Sequence, residues 1–74
     1  MAKNSYTAIV EKEGDLYVAF CQELDVASQG ATIEGATSNL KEAVELFLEI
    51  ADAAEIKHRF HTEVFITRFE AGHG

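Results

Sequence analysis

The stretch ELDVASQGATIEGA, Glu23 to Ala36, changes character twice within fourteen residues. The short run Val26-Ala27-Ser28 suits a strand and stops at Gly30, whose missing Cβ lets the chain take backbone angles closed to other residues. Two positions on, Thr32 is a good helix N-cap, because its hydroxyl can accept from an otherwise orphaned N–H of the first turn. Glu34 in that turn complements the positive end of the helix dipole. Strand and long helix therefore meet with almost no loop, and the helix is folded back across whatever sheet precedes it.

Working outward toward the N-terminus, Ser5–Glu11 alternates, with Tyr6, Ala8 and Val10 on one side and Thr7 and Ile9 on the other. That is the period of a strand. Glu13-Gly14-Asp15 supplies a turn, with Gly14 free to take positive φ. Leu16–Cys21 alternates again, Leu16, Val18 and Phe20 opposing Tyr17, Ala19 and Cys21. So short a connection forces antiparallel pairing. A third strand at Asp25–Gln29 closes a meander.

Toward the C-terminus, the apolar residues Ile33, Ala36, Leu40, Ala43, Val44, Phe47, Leu48 and Ala51 fall on one helical stripe, while Lys41, Glu42, Glu45 and Glu49 point away. An amphipathic helix of this kind packs on a core. Asp52–Ala54 ends it, and Glu55–His61, with Ile56 and Phe60 four apart, reads as a short second helix. Glu63–Glu70 alternates, Val64 and Ile66 against Phe65, Thr67 and Phe69, and is expected to be a fourth strand lying beside the first, with a right-handed crossover. Met1–Asn4 and Ala71–Gly74 read as tails. The expected fold class is α+β: an antiparallel three-stranded meander, a crossover helix on one face and a fourth strand, in one domain spanning residues 1–74.

Size and charge bound the function. A chain of 74 residues buries only roughly 60% of its unfolded surface, so a surface for self-association is expected. One helix cannot cover both faces of the sheet. The pattern puts Val10, Val18 and Ile66 on one face and Ile9, Tyr17, Phe65 and Phe69 on the other, with Tyr17, Phe65 and Phe69 as candidate interface anchors. Gly14, Gly30 and Thr32 are the structural turn and cap positions. The net charge of −7 disfavours direct binding to a phosphate backbone and suits either simple solubility or a basic protein partner. The few cations cluster only at Lys57-His58-Arg59. A lone cysteine, Cys21, fits a reducing compartment. No early run resembles a secretory signal, and no apolar run is long enough for a transmembrane helix. A cytoplasmic location without membrane association is expected.

Catalytic constellations are thin. His58 and His61 lie three apart, with Glu55 or Glu63 as oxygen donors, but a zinc site wants three or four ligands and a solvated basic turn is the better reading. His73 falls in the tail. Cys21 lacks the electropositive setting of a nucleophile and reads as a small core residue. Asp25 with Glu23 and Glu42 could hold a metal in a nuclease, although thirteen acids produce many accidental pairs. GATIEG lacks the lysine of a phosphate-binding loop. No catalytic, cofactor-binding or metal residue is assigned.

The ordered series Tyr6-Thr7-Ala8-Ile9-Val10-Glu11, Tyr17-Val18-Ala19-Phe20-Cys21, Glu23–Gly30, Thr32-Ile33-Glu34 and Asn39–Glu49 resembles the HicB-like antitoxins. The resemblance covers roughly Tyr6–Glu49; Gln22 stands where many relatives have proline, and Gly35 where they often have an acid. It implies a partial ribonuclease H-like fold and the antidote role in a type II toxin–antitoxin pair. The partner implied is HicA, a small basic mRNA-cleaving toxin with a catalytic histidine, whose active surface the antidote would cover. Longer members carry a C-terminal DNA-binding module, and none is expected within these residues. The expected assembly is a homo-oligomer, dimer or tetramer, without cofactor. A metal-dependent nuclease remnant and an orphan interaction scaffold remain the alternatives.

Overall fold

The computed structural model describes residues 5–61 and 63–72. Five elements follow in order: β1 (Ala8–Glu13), β2 (Leu16–Cys21), β3 (Val26–Gly30), α1 (Ile33–Ile50) and α2 (Ala53–Arg59). The strands form an antiparallel sheet in the order β1-β2-β3. This is the α+β meander expected, with two helices.

The β1–β2 hairpin closes on the pair Glu13–Leu16 around Gly14 and Asp15. Gly14 has φ 61° and Asp15 does not share that sign, which matches the preference for glycine at the first central place of a type II′ turn. The β2–β3 connection, residues 22–25, is a tight loop in which the Asp25 N–H donates to the Cys21 carbonyl at 3.0 Å. Asp25 itself lies in the left-handed region, φ 56°, where aspartate is tolerated better than most non-glycine residues.

Register determines the faces. Val10 pairs with Ala19, and Ala19 with Ser28; Ile9 pairs with Phe20, and Glu11 with Val18. Partners in a ladder share a face. Val10, Tyr17, Ala19, Cys21 and Val26 therefore face the helix, while Ile9, Leu16, Val18 and Phe20 face away. The alternation within each strand is as the sequence suggests, but the grouping between strands is not. Val10 joins Tyr17 rather than Val18, and Ile9 joins Val18 rather than Tyr17. Alternation gives the two sides of one strand and says nothing of which side meets which in the next; the two-residue turn decides that.

Helix α1 is capped as its sequence suggests, with the Gly35 N–H donating to Thr32 Oγ1 at 2.9 Å. Its buried residues are Ala36, Leu40 and Val44, the centre of the expected stripe. They join Ala19, Cys21 and Leu24 in the core, flanked by half-buried Tyr6, Val10, Tyr17, Val26, Phe47, Leu48 and Phe60. Gly30 serves a purpose other than the one its sequence context suggests. Its φ is not in the positive region. Instead a Cβ there would sit 2.6 Å from the Ala36 nitrogen and 2.8 Å from the Gly35 carbonyl carbon. Glycine lets the first turn of α1 rest directly on β3. The Asn39 side-chain amide then donates to the Gln29 carbonyl at 2.8 Å, fastening the outer edge of β3 to the same helix.

Helix α2 begins two residues earlier than expected because Asp52 caps it, accepting from the Glu55 N–H at 2.8 Å. Beyond Phe60 no fourth strand forms among the described residues. Residues 63–72 have no regular secondary structure, and Phe65, Ile66 and Phe69 are 85%, 59% and 87% exposed. The alternating pattern is present, but the chain leaves the body and reaches no edge of its own sheet.

Candidate functional site

Two features of the molecule concentrate chemistry: a polar corner at the β2–β3 turn, and the apolar surfaces that neither helix covers.

The corner centres on Glu23, a carboxylate only 9% exposed. Its oxygens accept from the Thr7 N–H and from Thr7 Oγ1, each at 2.7 Å, and from Cys21 Sγ at 3.6 Å. Burial by itself would push the carboxyl up, but the Thr7 hydrogen bonds outweigh it and hold Glu23 below the ordinary glutamate range. The same burial, aided by the neighbouring carboxylate, pushes the Cys21 thiol up. A buried, protonated thiol is a packing group, and nucleophilic chemistry at Cys21 is disfavoured. The main chain closes the corner: the Gln22 N–H donates to the Thr7 carbonyl at 3.2 Å, and the His61 N–H to the Glu23 carbonyl at 2.8 Å. His61 Nε2 also lies 3.0 Å from Asp25 Oδ2.

The candidate metal residues are thus divided among other tasks. Glu23 is saturated by Thr7 and Cys21, Asp25 faces His61, and Glu42 is exposed on α1. His58 lies within α2, whereas His61 lies past its end at Phe60, so the two do not share a helical turn. The sequence could not reveal this, because the Phe60 cap falls between them. Among the described residues no cluster of three or more His, Cys, Asp or Glu side chains could hold a metal ion; His73 lies outside those residues. Lys57, His58 and Arg59 occupy the last turn of α2, where cations complement the dipole. The Arg59 guanidinium stacks 5.0 Å from the Phe47 ring centroid.

The apolar surfaces are more suggestive. On the open face of the sheet, Ile9, Val18 and Phe20 line a shallow concavity of about 270 Å³ with Glu11 and Gln22 at its margin. Leu16 extends it and is 41% exposed. A second depression of about 310 Å³ lies between α1 and α2, formed by Ala43, Leu46, Phe47, Ile50, Ala51 and Glu55. Leu46 and Ile50, both exposed, are one helical turn apart, just outside the core stripe. Sequence reading passed them over, although their i, i+4 spacing beside that stripe was a usable signal.

The three candidate anchors separate. Tyr17 is half-buried on the helix side, packed against the core, with Lys12 Nζ 5.9 Å from its ring centroid. It does not belong to the open face. Phe65 and Phe69 lie on the exposed terminal segment. Gly14 takes its turn place and Thr32 its cap place, whereas Gly30 ends β3 without positive φ and serves by close packing.

Among the described residues no helix is long and apolar enough to cross a membrane. No family model matches the chain, and no solved structure matches it. Over 47 residues the chain is 49% identical to UPF0150 protein ssr1765 of Synechocystis sp., a match that spans 61% of this chain and 60%, less than two thirds, of that protein.

Proposed function

We propose that this chain is an antitoxin-like interaction protein. It would bind a small, basic, mRNA-cleaving toxin of the HicA type and cover its active surface. The observation that carries the reading is the open sheet face: an apolar patch of Ile9, Leu16, Val18 and Phe20 bordered by Glu11 and Glu13, on a chain of net charge −7. An apolar centre with an acidic margin complements a surface built to hold RNA, which must be cationic. The HicB-like series of motifs supports the same reading, and so does the strand-strand-strand-helix order, which is the first part of a partial ribonuclease H-like arrangement; residues 63–70 would complete it. Neutralisation by coverage needs shape, burial and charge but no catalytic group. The nuclease alternative gains nothing from Glu23, whose two oxygens are engaged within the fold, and Asp25 Oδ2 is met by His61.

The test is co-expression with the product of an adjacent small basic gene, followed by co-purification and an RNA-cleavage assay. A stable complex with suppressed cleavage is expected. Leu16→Glu, which sets a carboxylate in the apolar patch at an already exposed position, should weaken the complex at least about tenfold without changing the circular dichroism of the free protein. If no small ribonuclease is inhibited, or if Leu16→Glu binds as tightly as the parent, the reading fails.

A further inference from the structure

The terminal segment and one sheet edge are complementary, and among the described residues each is without a backbone partner. The two edges of the sheet differ. The outer edge of β3 is fastened to α1 through Asn39 and the close approach at Gly30. Among the described residues β1 pairs only with β2, which leaves its outward N–H and C=O groups open, the condition that invites strand addition. β1 is six residues long, about 20 Å at ~3.3 Å per residue.

Residues 63–70 match that edge. They alternate, they are long enough to run its full length, and three of their apolar side chains stand in water, with Phe65, Ile66 and Phe69 85%, 59% and 87% exposed. Among the described residues no backbone hydrogen bond joins 63–72 to the rest of the chain. The body is held tightly just before this segment by the His61 N–H on the Glu23 carbonyl and by Phe60 against Tyr6, ring centroids 6.3 Å apart. That anchored exit sends the segment outward. The molecule measures 49 × 28 × 18 Å with a radius of gyration of 14.4 Å, against about 11 Å for a compact chain of this length.

We infer that residues 63–70 are an exchange arm, which adds as a fourth strand to the β1 edge of a second copy of this chain while the second copy returns its own. Both the donor and the acceptor are present on every chain, so the exchange is reciprocal and closes as a two-fold dimer with no β1 edge left over. The area suffices. Two phenylalanines per arm, at roughly 150–250 Å² each, give about 600–1,000 Å² for the pair of arms. The surfaces that receive them bury a comparable amount, which reaches the ~1,200–2,000 Å² of a stable interface. The alternation puts Phe65 and Phe69 on one side of the added strand and Val64 and Ile66 on the other, beside Ile9 and Val10 of the receiving β1. This inference stands whether or not the partner proposed above exists.

The experiment uses the full chain. Light scattering on a size-exclusion column should give a dimer at about 100 µM. In a sample refolded from equal parts of isotope-labelled and unlabelled chain, filtered NMR spectra should show contacts between chains from the Phe65 and Phe69 rings to one of Ile9 and Val10, and from Val64 and Ile66 to the other, since Ile9 and Val10 lie on opposite faces of β1. The variant carrying Phe65→Ser and Phe69→Ser changes only exposed positions, so it should keep its circular dichroism while the dimer dissociation constant rises at least about a hundredfold. A monomer at that concentration, ring contacts confined to one chain, or an undiminished dimer in the double variant would each overturn the inference.

Discussion

Replacing Gly30 with alanine inserts a methyl carbon where the backbone of α1 already lies. The new Cβ would stand 2.6 Å from the Ala36 nitrogen, 2.8 Å from the Gly35 carbonyl carbon and 3.0 Å from the Ala36 Cα. All three atoms are main chain, so no side chain can swing aside. Either the first turn of α1 lifts from β3 or the strand end bends. Overpacking of this sort costs about 1–3 kcal/mol, and the rigidity of the obstacle argues for at least about 2. For a domain of this size each kcal/mol lowers the melting temperature by roughly 4–8 °C, so a fall of roughly 8–16 °C is expected. Thermal and urea denaturation followed by circular dichroism measure it, with an unchanged urea slope showing that only stability has moved. Gly30→Asn separates close packing from backbone conformation. If glycine were needed for positive φ, asparagine would be the better substitute. Because space is the constraint, the larger asparagine should be worse than alanine. Gly14→Ala is the contrasting case: φ is 61° and nothing lies within 4 Å of the added carbon, so only the conformational cost, about 1 kcal/mol, applies. A Gly30→Ala protein within ~0.5 kcal/mol of the parent, or an asparagine variant more stable than the alanine one, would refute the reasoning.

Thr32→Ala leaves the Gly35 N–H without its acceptor and should cost about 1 kcal/mol, read in the same denaturation curves; a neutral effect would mean water serves that N–H equally well. Glu23 gives a pH dependence. Its folded-state carboxyl is held below the ordinary range, so its stabilisation is present above the unfolded value of about 4.3 and is lost as pH falls through the lower folded value. The parent's melting temperature should therefore drop more steeply below about pH 4.3 than that of Glu23→Gln. Equal slopes would show that Thr7 does not favour the charged form.

The meander and the main helix could be read from the chain because their determinants are local. Gly14 at a two-residue turn, Thr32 three residues before Gly35, and the recurrence of Ala36, Leu40 and Val44 each act within a few positions. Asp52 carries a cap signal of the same kind, Asp-x-x-Glu, and was open to the same reading. What escaped was non-local. That Ile9 shares a face with Phe20 rather than with Tyr17 depends on hairpin register. The engagement of Glu23 by Thr7 joins residues sixteen apart, and the meeting of His61 with Asp25 joins residues thirty-six apart. The contact of Gly30 with Ala36 is invisible to composition, since glycine at a strand end signals freedom as readily as tight packing. Residues 63–70 show the limit most clearly. Alternation identifies a segment able to pair, but not the edge that it pairs with.

The polar corner also has a mechanical consequence. Thr7, at the entry to β1, and His61, at the departure of the last segment, are both bonded to the same residue, Glu23, and Tyr6 touches Phe60 beside them. Tension applied between Ser5 and residue 63 would therefore load these few bonds first, one after another, while the hairpin tip at Gly14–Asp15 and the Ala36–Val44 face of the helix felt nothing until the corner had torn. The molecule should behave under force like a loop fastened by a single brittle clasp, with its breaking strength set at Glu23 rather than in its apolar interior.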